Sequence, residues 1–211
     1  MNAIRSTRLA IVVWSLAGAV ALAGGCASTD MTDTWRDPAY AGAPSKNLLV
    51  ISMAKDPAHR RLAEDTFVAA LVKRGATATP SYAVFPGGLP DTQTVKQTVR
   101  EKGYDAVLVT HRISSENVER IVPPTTANVP VASTNPYGYY QTYFEEIHTP
   151  GYVETDRVVK FQTDMWIADG HGGRLVWIGR SESVNPGSAQ DLSRELAGKV
   201  VPELAKRKLV Q

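Results

Sequence analysis

The chain has 211 residues, of which 43% are hydrophobic and 21% are charged, values close to those of average globular domains. This length suits one domain of ordinary size with additional segments, and such a chain can bury a sizeable core without disulfide bonds. The formal net charge is +2, and the excess comes from Arg5 and Arg8, so the chain after residue 25 is electrically neutral. Because no basic surface is indicated, we expect no nucleic-acid partner.

The N-terminal segment has the features of a secretory signal. Arg5 and Arg8 precede an apolar run from Leu9 to Leu22, which is followed by small residues. A basic start, a short apolar stretch and small residues are typical of a cleaved signal peptide. The apolar run is shorter than the roughly 20 residues that a membrane span requires. We therefore predict that residues 1–25 are a signal peptide.

Cys26, the only cysteine, directly follows these small residues, an arrangement that resembles the lipobox of bacterial lipoproteins. In that box a leucine most often stands three residues before the cysteine; here Ala23 occupies this position and Leu22 lies one place earlier. The resemblance implies that Cys26 is acylated, becomes the mature N-terminus and anchors the protein in a lipid bilayer. Ala27, in place of the aspartate that retains lipoproteins in the inner membrane of enterobacteria, implies the outer membrane and a periplasm-facing domain. The alternative is an ordinary secretory signal that leaves Cys26 as a free thiol.

Residues 26–46 are predicted to comprise the lipidated cysteine and a tether. Small and polar residues dominate this stretch, together with proline and glycine. Trp35 and Tyr40 interrupt it, and we expect these aromatic rings to dock on the domain and end the tether early, because lone exposed tryptophans are uncommon.

The first strand and helix of the domain carry strong local signals. Residues 47–54 (NLLVISMA) include four consecutive apolar residues, which predict a central strand buried on both faces. Asp56 is suited to cap the following helix, Pro57 to its first position, and Gly75 to its end.

The next elements repeat this order. Residues 76–85 predict a weak strand, which Pro80 places at a sheet edge or a bulge. Asp91 should cap a second helix that stops at Gly103, and residues 104–114 (YDAVLVTHRIS) predict the next apolar strand. The β-α-β-α-β order is typical of a parallel sheet with right-handed crossovers.

The C-terminal half predicts a hairpin after a long irregular segment. Residues 115–152 contain few periodic signals, and we expect part of them to form an extended hairpin arm, because so long a structureless loop is unusual in a compact domain. Residues 156–169 alternate between apolar and polar side chains and should pair with residues 174–183 in a hairpin.

The last helix should begin at Ser188 in a capping box, and Pro202 should kink or split it near Gly198. We therefore predict the α/β class: a single domain over 47–211, with a mixed sheet of about five strands, a tyrosine-rich insertion at about 115–152 and a C-terminal helix. One core should contain Leu49, Val50, Phe67, Leu71, Val107, Leu108, Phe161 and Leu196.

The mature chain contains the stretches TWRDPAY, FVAALVKRGATATPSY, DAVLVT, TPGYVETD and GGRLVWIGRSES. In these stretches it resembles a group of uncharacterised bacterial outer-membrane lipoproteins that carry a domain of unknown function. The resemblance covers most of the mature chain but implies no reaction. In topology the chain is also similar to the small α/β domain of outer-membrane lipoproteins that activate penicillin-binding proteins or assist curli secretion, and to the N-terminal domain of the Tol-system periplasmic protein. Fold alone does not imply function.

Residues suited to catalysis or metal binding are sparse. The histidines have no metal-ligand spacing, no second cysteine is present, and no cofactor or metal is expected. His171 falls in a predicted turn, whereas His111 ends an apolar strand at the sheet edge where α/β proteins usually bind ligands. The adjacent acidic pairs at 64–65 and 145–146 should diverge, so neither pair indicates an acid/base couple.

Aromatic residues concentrate in the predicted arm. Tyrosine combines a flat apolar ring with a polar hydroxyl, a combination that suits protein interfaces and stacking on sugars. The alternative is that these rings cover the sheet or pack the segment on itself. The candidate partner-binding residues are Tyr137, Tyr139, Tyr140, Tyr143 and Phe144, with Tyr152 nearby.

From these features we expect a lipoprotein that binds or scaffolds a partner of the cell envelope without catalysis. Two alternatives stay open at this point. The first is an envelope hydrolase that uses His111 and a nearby acid, which a cleft joining His111 to a buried carboxylate would favour. The second is a glycan or small-molecule binder that uses the tyrosines.

Overall fold

A computed structural model describes residues 28–88, 90–169 and 173–211. The signal peptide, Cys26 and His171 lie outside the described residues. The strands are β1 (Ser28–Arg36), β2 (Asn47–Ser52), β3 (Thr77–Pro80), β4 (Ala106–Val122), β5 (Thr125–Thr134), β6 (Tyr140–Thr149), β7 (Tyr152–Ile167) and β8 (Arg174–Val184). The helices are α1 (Pro57–Val72), α2 (Ser81–Val84), α3 (Thr92–Lys102) and α4 (Ala189–Lys206). None of these helices has an apolar stretch long enough to cross a bilayer.

Six strands form the main sheet in the order β1-β8-β7-β4-β2-β3. β2 lies parallel to β3 and β4, and the other neighbours are antiparallel. The prediction of a mixed α/β domain with a β-α-β-α-β core and a following hairpin is confirmed. β3 occupies the edge of the sheet, as Pro80 indicated, because proline cannot donate a hydrogen bond to a second neighbour.

The sixth strand is β1, which lies within the segment predicted to be a tether. Its polar sequence has little apolar alternation, but it pairs with the open edge of β8. Thr29 is buried there and hydrogen-bonds to the hydroxyl of Ser183 at 2.6 Å and to the carboxylate of Glu195 at 2.7 Å. Tyr40 packs against the core, as predicted, whereas the same prediction is wrong for Trp35, which is 43% exposed. Residues 28–36 of the predicted tether therefore belong to the sheet, where they are held by residues that are distant in the sequence.

The helix ends follow the local signals. Asp56 accepts a hydrogen bond from the backbone N–H of His59 at 2.8 Å, and Asp91 accepts from Gln93 and Thr94. Gly103 ends α3 with φ at +67°, a conformation that favours glycine. These predicted caps are confirmed.

α4 is one continuous helix that begins after Ser188, as predicted, and contains Pro202. The expected split near Gly198 is wrong. Both residues lie on the exposed side of α4, where water can satisfy the carbonyl that proline leaves without a donor.

Two apolar clusters lie on opposite faces of the sheet. The larger cluster, between the sheet and helices α1 and α4, includes Val50, Phe67, Leu71, Leu108 and Leu196, with Phe161 packed against it. The smaller cluster, under α3, includes Leu49, with Val107 packed against it. The prediction of one shared core is therefore wrong for Leu49 and Val107, because successive residues of a strand point to opposite faces.

Candidate functional site

The candidate site is a two-stranded extension of the sheet that we call the arm, residues 114–157. In the part of β7 that precedes Val158, β7 pairs with β4 alone and no longer with β8. The paired residues there run from Asn117 opposite Arg157 to Val122 opposite Tyr152. Short links then lead into the separate β5–β6 hairpin. At about 3.3 Å per residue, the chain from Ser114 to Thr134 has a contour length of about 70 Å. The prediction of an extended hairpin arm is confirmed, although β4 runs to Val122 rather than ending near residue 114.

The links between the two hairpins approach each other closely. A Cβ atom on Gly151 would lie 2.9 Å from the backbone oxygen of Val122 and 3.0 Å from Cδ of Pro124. Glycine therefore permits this approach. Below the links, the side chain of Arg120 forms ion pairs with Glu154 and Asp156 across the two strands.

A hydrogen-bonded turn forms the tip of the arm. The carbonyl of Asn135 accepts from the N–H of Gly138 at 2.8 Å, and its side-chain oxygen accepts from the N–H groups of Tyr137 and Tyr139 at 3.0 and 3.1 Å. Gly138 has φ at +85°, which glycine adopts without strain. Asn135, proline at 136 and Gly138 are residues that this kind of turn favours, so the tip has a defined shape.

The predicted partner-binding rings are exposed. The exposed fraction is 87% for Tyr137, 72% for Tyr139, 89% for Tyr140, 49% for Tyr143 and 70% for Phe144. The alternative in which these rings cover the sheet is therefore wrong. These rings are therefore accessible for contact, whereas the binding of a partner by these residues stays a prediction.

Both faces of the β5–β6 hairpin carry apolar groups. In the strand register, Val131 lies opposite Tyr143 and Ala127 opposite Ile147 on one face, whereas Pro130 lies opposite Phe144 on the other. The described residues of the hairpin include none that is fully buried. Exposed apolar side chains that lie next to one another often mark an interaction site.

His111 lies in a different region, at a cleft of about 590 Å³ near the end of β2. The cleft also contains His59, Arg112 and Arg157, and Asp56 is its single acidic lining residue among those described. The N–H of His59 is the main cause that lowers the pKa of Asp56 below its ordinary value. Asp56 is thereby held as the ionised cap of α1.

The buried carboxylate of the domain, Glu64, does not line this cleft. Its Oε1 accepts hydrogen bonds from the N–H of Ser52, from Nε of Arg60 and from Oγ of Ser81, at 3.0, 3.1 and 2.5 Å. Its Oε2 accepts from the N–H of Tyr82 at 2.9 Å. Because both oxygens are engaged, Glu64 joins α1 to β2 and α2 as a structural group. Among the described residues that line the cleft at His111, none is therefore the buried acid that would have favoured a hydrolase.

The acidic pairs diverge as predicted. Glu64 is buried, whereas its neighbour Asp65 faces solvent and accepts a hydrogen bond from the hydroxyl of Tyr82 at 2.6 Å. This hydrogen bond is the main cause that raises the pKa of Tyr82. Across the described ranges, no three His, Cys, Asp or Glu side chains lie close enough together to hold a metal ion.

A groove on the α3 side of the sheet was not predicted from the sequence. It has a volume of about 400 Å³ and is lined by apolar residues of β2, β4, β7 and α3. The run of apolar residues at 47–54 predicted a strand buried on both faces, so no local signal in β2 indicated that part of this face is open.

Comparisons with known proteins show distant similarity. No protein-family model and no curated protein sequence matches the chain. Among solved structures, a PelC dodecamer from Paraburkholderia phytofirmans is 13% identical, with a TM-score of 0.46, over 87% of this chain and 99% of that chain. Lipoprotein GNA1162 from Neisseria meningitidis is 15% identical, with a TM-score of 0.40, over 76% of this chain and 99% of that chain.

A third structure, a PDZ domain protein from Parabacteroides distasonis, is 9% identical, with a TM-score of 0.34, over 85% of this chain and 36% of that chain. One of these three structures is that of a lipoprotein. TM-scores and identities this low assign neither a family nor an activity, so the resemblance to uncharacterised lipoproteins stays a prediction.

Proposed function

We propose that the chain is a lipid-anchored lipoprotein of the bacterial envelope, facing the periplasm from the outer membrane, that binds an envelope partner through the arm. The observation that carries this proposal is the exposure of five aromatic rings on one ordered hairpin. A few aromatic residues often supply most of the binding free energy of an interface.

Anchoring rests on Cys26 and the signal before it. An acyl chain contributes about 0.8 kcal/mol per buried methylene group, and two chains give stable anchoring. Cys26→Ser should abolish incorporation of labelled palmitate and release the domain from the membrane fraction. Absence of label in the wild-type protein would contradict the lipid anchor without affecting the arm.

Three features support a binding role. The rings lie on a hairpin whose tip is shaped by four hydrogen bonds, so little conformational freedom is lost when they bind. They lie at the far end of the arm, away from the cleft at His111. The hydroxyl groups of the four tyrosines can hydrogen-bond to a protein surface or to sugar hydroxyls, so a glycan is the second candidate partner.

The experiment compares three versions of the full-length chain in cells after chemical cross-linking. These are the wild type, the triple variant Tyr139→Ser, Tyr140→Ser and Tyr143→Ser, and a control variant. The control carries Gln141→Ser, Thr142→Ser and Glu146→Ser, which change exposed polar residues of the same strand. We expect the wild type and the control to capture the same envelope proteins and the tyrosine variant to lose them.

Capture of the same proteins by all three versions would contradict the role of the arm. If the material lost with the tyrosine variant is carbohydrate, then the partner is a glycan. Unchanged localisation of the three versions checks that anchoring is not affected.

A further inference from the structure

The groove on the α3 side of the sheet has the size and lining of a ligand site, and this feature is independent of the function proposed for the arm. Its volume of about 400 Å³ lies within the range of about 300–1,000 Å³ that is typical of small-molecule pockets. Its walls are mainly aliphatic and aromatic, as in most such pockets. The apolar lining residues include Ile51, Met53, Val95, Val99, Val107, Val109, Trp166 and Ile167.

The groove is open because α3 covers only part of this face. α3 has 11 residues and is therefore about 16 Å long, whereas α1 and α4 have 16 and 18 residues on the opposite face. Val107 and Val109 lie in a central strand but are only half-buried. Trp166 is 37% exposed and Met53 is 57% exposed. These are apolar groups that gain from being covered by a ligand.

Two cations lie along the α3 wall of the groove. Lys96 and Arg100 are four residues apart, so they are neighbours on one face of the helix. Among the described residues, neither side chain has a hydrogen-bond or ion-pair partner. Asp169 also lines the groove and accepts a hydrogen bond from the N–H of Gly173 at 3.0 Å. The groove thus combines an apolar floor with two unpaired cations on the α3 wall and one carboxylate, so that the net charge of its lining is positive.

We propose that this groove binds a small amphiphile that has an apolar body, such as a single acyl chain, and one anionic group held by Lys96 and Arg100. A neutral apolar molecule would cover the apolar lining of the groove but would leave both cations without an anionic partner. A polyanion would place charge against the apolar floor, which is costly. A carboxylate and a phosphate monoester share the required chemistry, because both accept charge-assisted hydrogen bonds from these donors.

A photoreactive decanoate that carries a diazirine tests the proposal on the full-length lipoprotein in membranes. Peptides that carry the label identify the site directly, so partition of the probe into the bilayer does not obscure the result. We expect label on peptides that contain Met53, Trp166 or α3. Excess decanoate or decyl phosphate should compete, and whichever competes better identifies the headgroup, whereas decanol should compete weakly.

Variants separate the headgroup contact from the apolar site. The double variant Lys96→Ala and Arg100→Ala should reduce labelling of the groove about tenfold, the change that corresponds to about 1.4 kcal/mol of binding free energy. The matched control Lys102→Ala removes an exposed lysine of the same helix that does not line the groove, and labelling should be unchanged. Val95→Trp should fill the groove and abolish labelling.

Three results would overturn the proposal: label that falls outside the groove, competition by decanol equal to that by decanoate, or wild-type labelling in the double variant. If Val95→Trp does not fold, as judged by its thermal melting, the double variant decides alone, because its substitutions are on the surface of the helix. Loss of partner capture by the arm variants does not affect any of these readouts, so the two proposals fail independently.

Discussion

Phe67 and Trp177 are completely buried between the sheet and helices α1 and α4, whereas Tyr137 and Tyr140 at the tip of the arm expose most of their surface. Both regions contain ordered aromatic residues, but they order them by different means. Packing holds the rings of the larger core, and backbone hydrogen bonds of a turn and a two-stranded ladder hold those of the arm.

This difference indicates where the folding free energy arises. Burial of apolar surface contributes about 25 cal/mol per Å², so the sheet and helices supply most of the stability. A two-stranded hairpin alone is only marginally stable in water. The arm therefore adds little to folding, and its residues are available for contacts with a partner.

The largest effect is expected in the part of the domain outside the arm, which we call the body, at the buried ion pair of Arg60 and Glu64. Glu64→Ala leaves Arg60 buried without its partner and removes the acceptor for three further donors, so the free energy of unfolding should fall by about 3–5 kcal/mol. Urea denaturation measures the change. The matched control Asp65→Ala alters the adjacent exposed acid of α1 and should cost far less. Equal losses in both variants would show that the buried network is not what stabilises this region.

The next effect tests whether the smaller cluster also belongs to the stable body. Leu49→Ala should lower the free energy of unfolding by about 2–5 kcal/mol, because Leu49 is completely buried under α3. The same urea titration applies. A loss below about 0.5 kcal/mol, the size of a surface effect, would mean that β2 is not central.

A smaller loss is expected at Gly179 in β8. A Cβ atom there would lie 2.2 Å from Cη2 of Trp177 and 2.8 Å from Cε of Met31, so the buried indole would have to move. Gly179→Ala should cost about 1–3 kcal/mol, as overpacking does, and should alter the near-ultraviolet circular dichroism of the tryptophans. The control is Gly198→Ala, which should be tolerated because a Cβ atom there meets open space. Gly138→Ala is unsuitable as a control, because the positive φ of Gly138 would strain an alanine. Wild-type stability of Gly179→Ala would show that Trp177 is loosely packed.

The smallest effect is expected in the arm. The triple variant Tyr139→Ser, Tyr140→Ser and Tyr143→Ser should change the melting temperature little, because exposed substitutions usually alter stability by no more than about 0.5 kcal/mol each. If the triple variant melted much lower, with a loss of several kcal/mol in the free energy of unfolding, its tyrosines would be buried like the aromatic residues of the core. The contrast between body and arm would then disappear, and the proposed binding role would lose its support.

The sequence was informative wherever the signal was local. The helix caps at Asp56, Asp91 and Ser188 depend on donors at most three residues away, and all three were predicted correctly. The clustering of tyrosines also marked the candidate site, because aromatic content can be read from composition. Errors arose where distant residues decide the outcome, as at Leu49, whose cluster is set by the face of the sheet on which α3 packs.

The amino-acid sequence by itself determined the α/β class, the β-α-β-α-β order with its following hairpin and the aromatic character of the arm, because periodicity, caps and turn residues act between near neighbours. Only the tertiary structure decided that β1 joins the sheet, that Glu64 is buried and that the α3 face stays partly open. Thr29 and Ser183, for example, are 154 positions apart. Such contacts form between segments that come together only when the chain folds, so no short stretch of sequence predicts them.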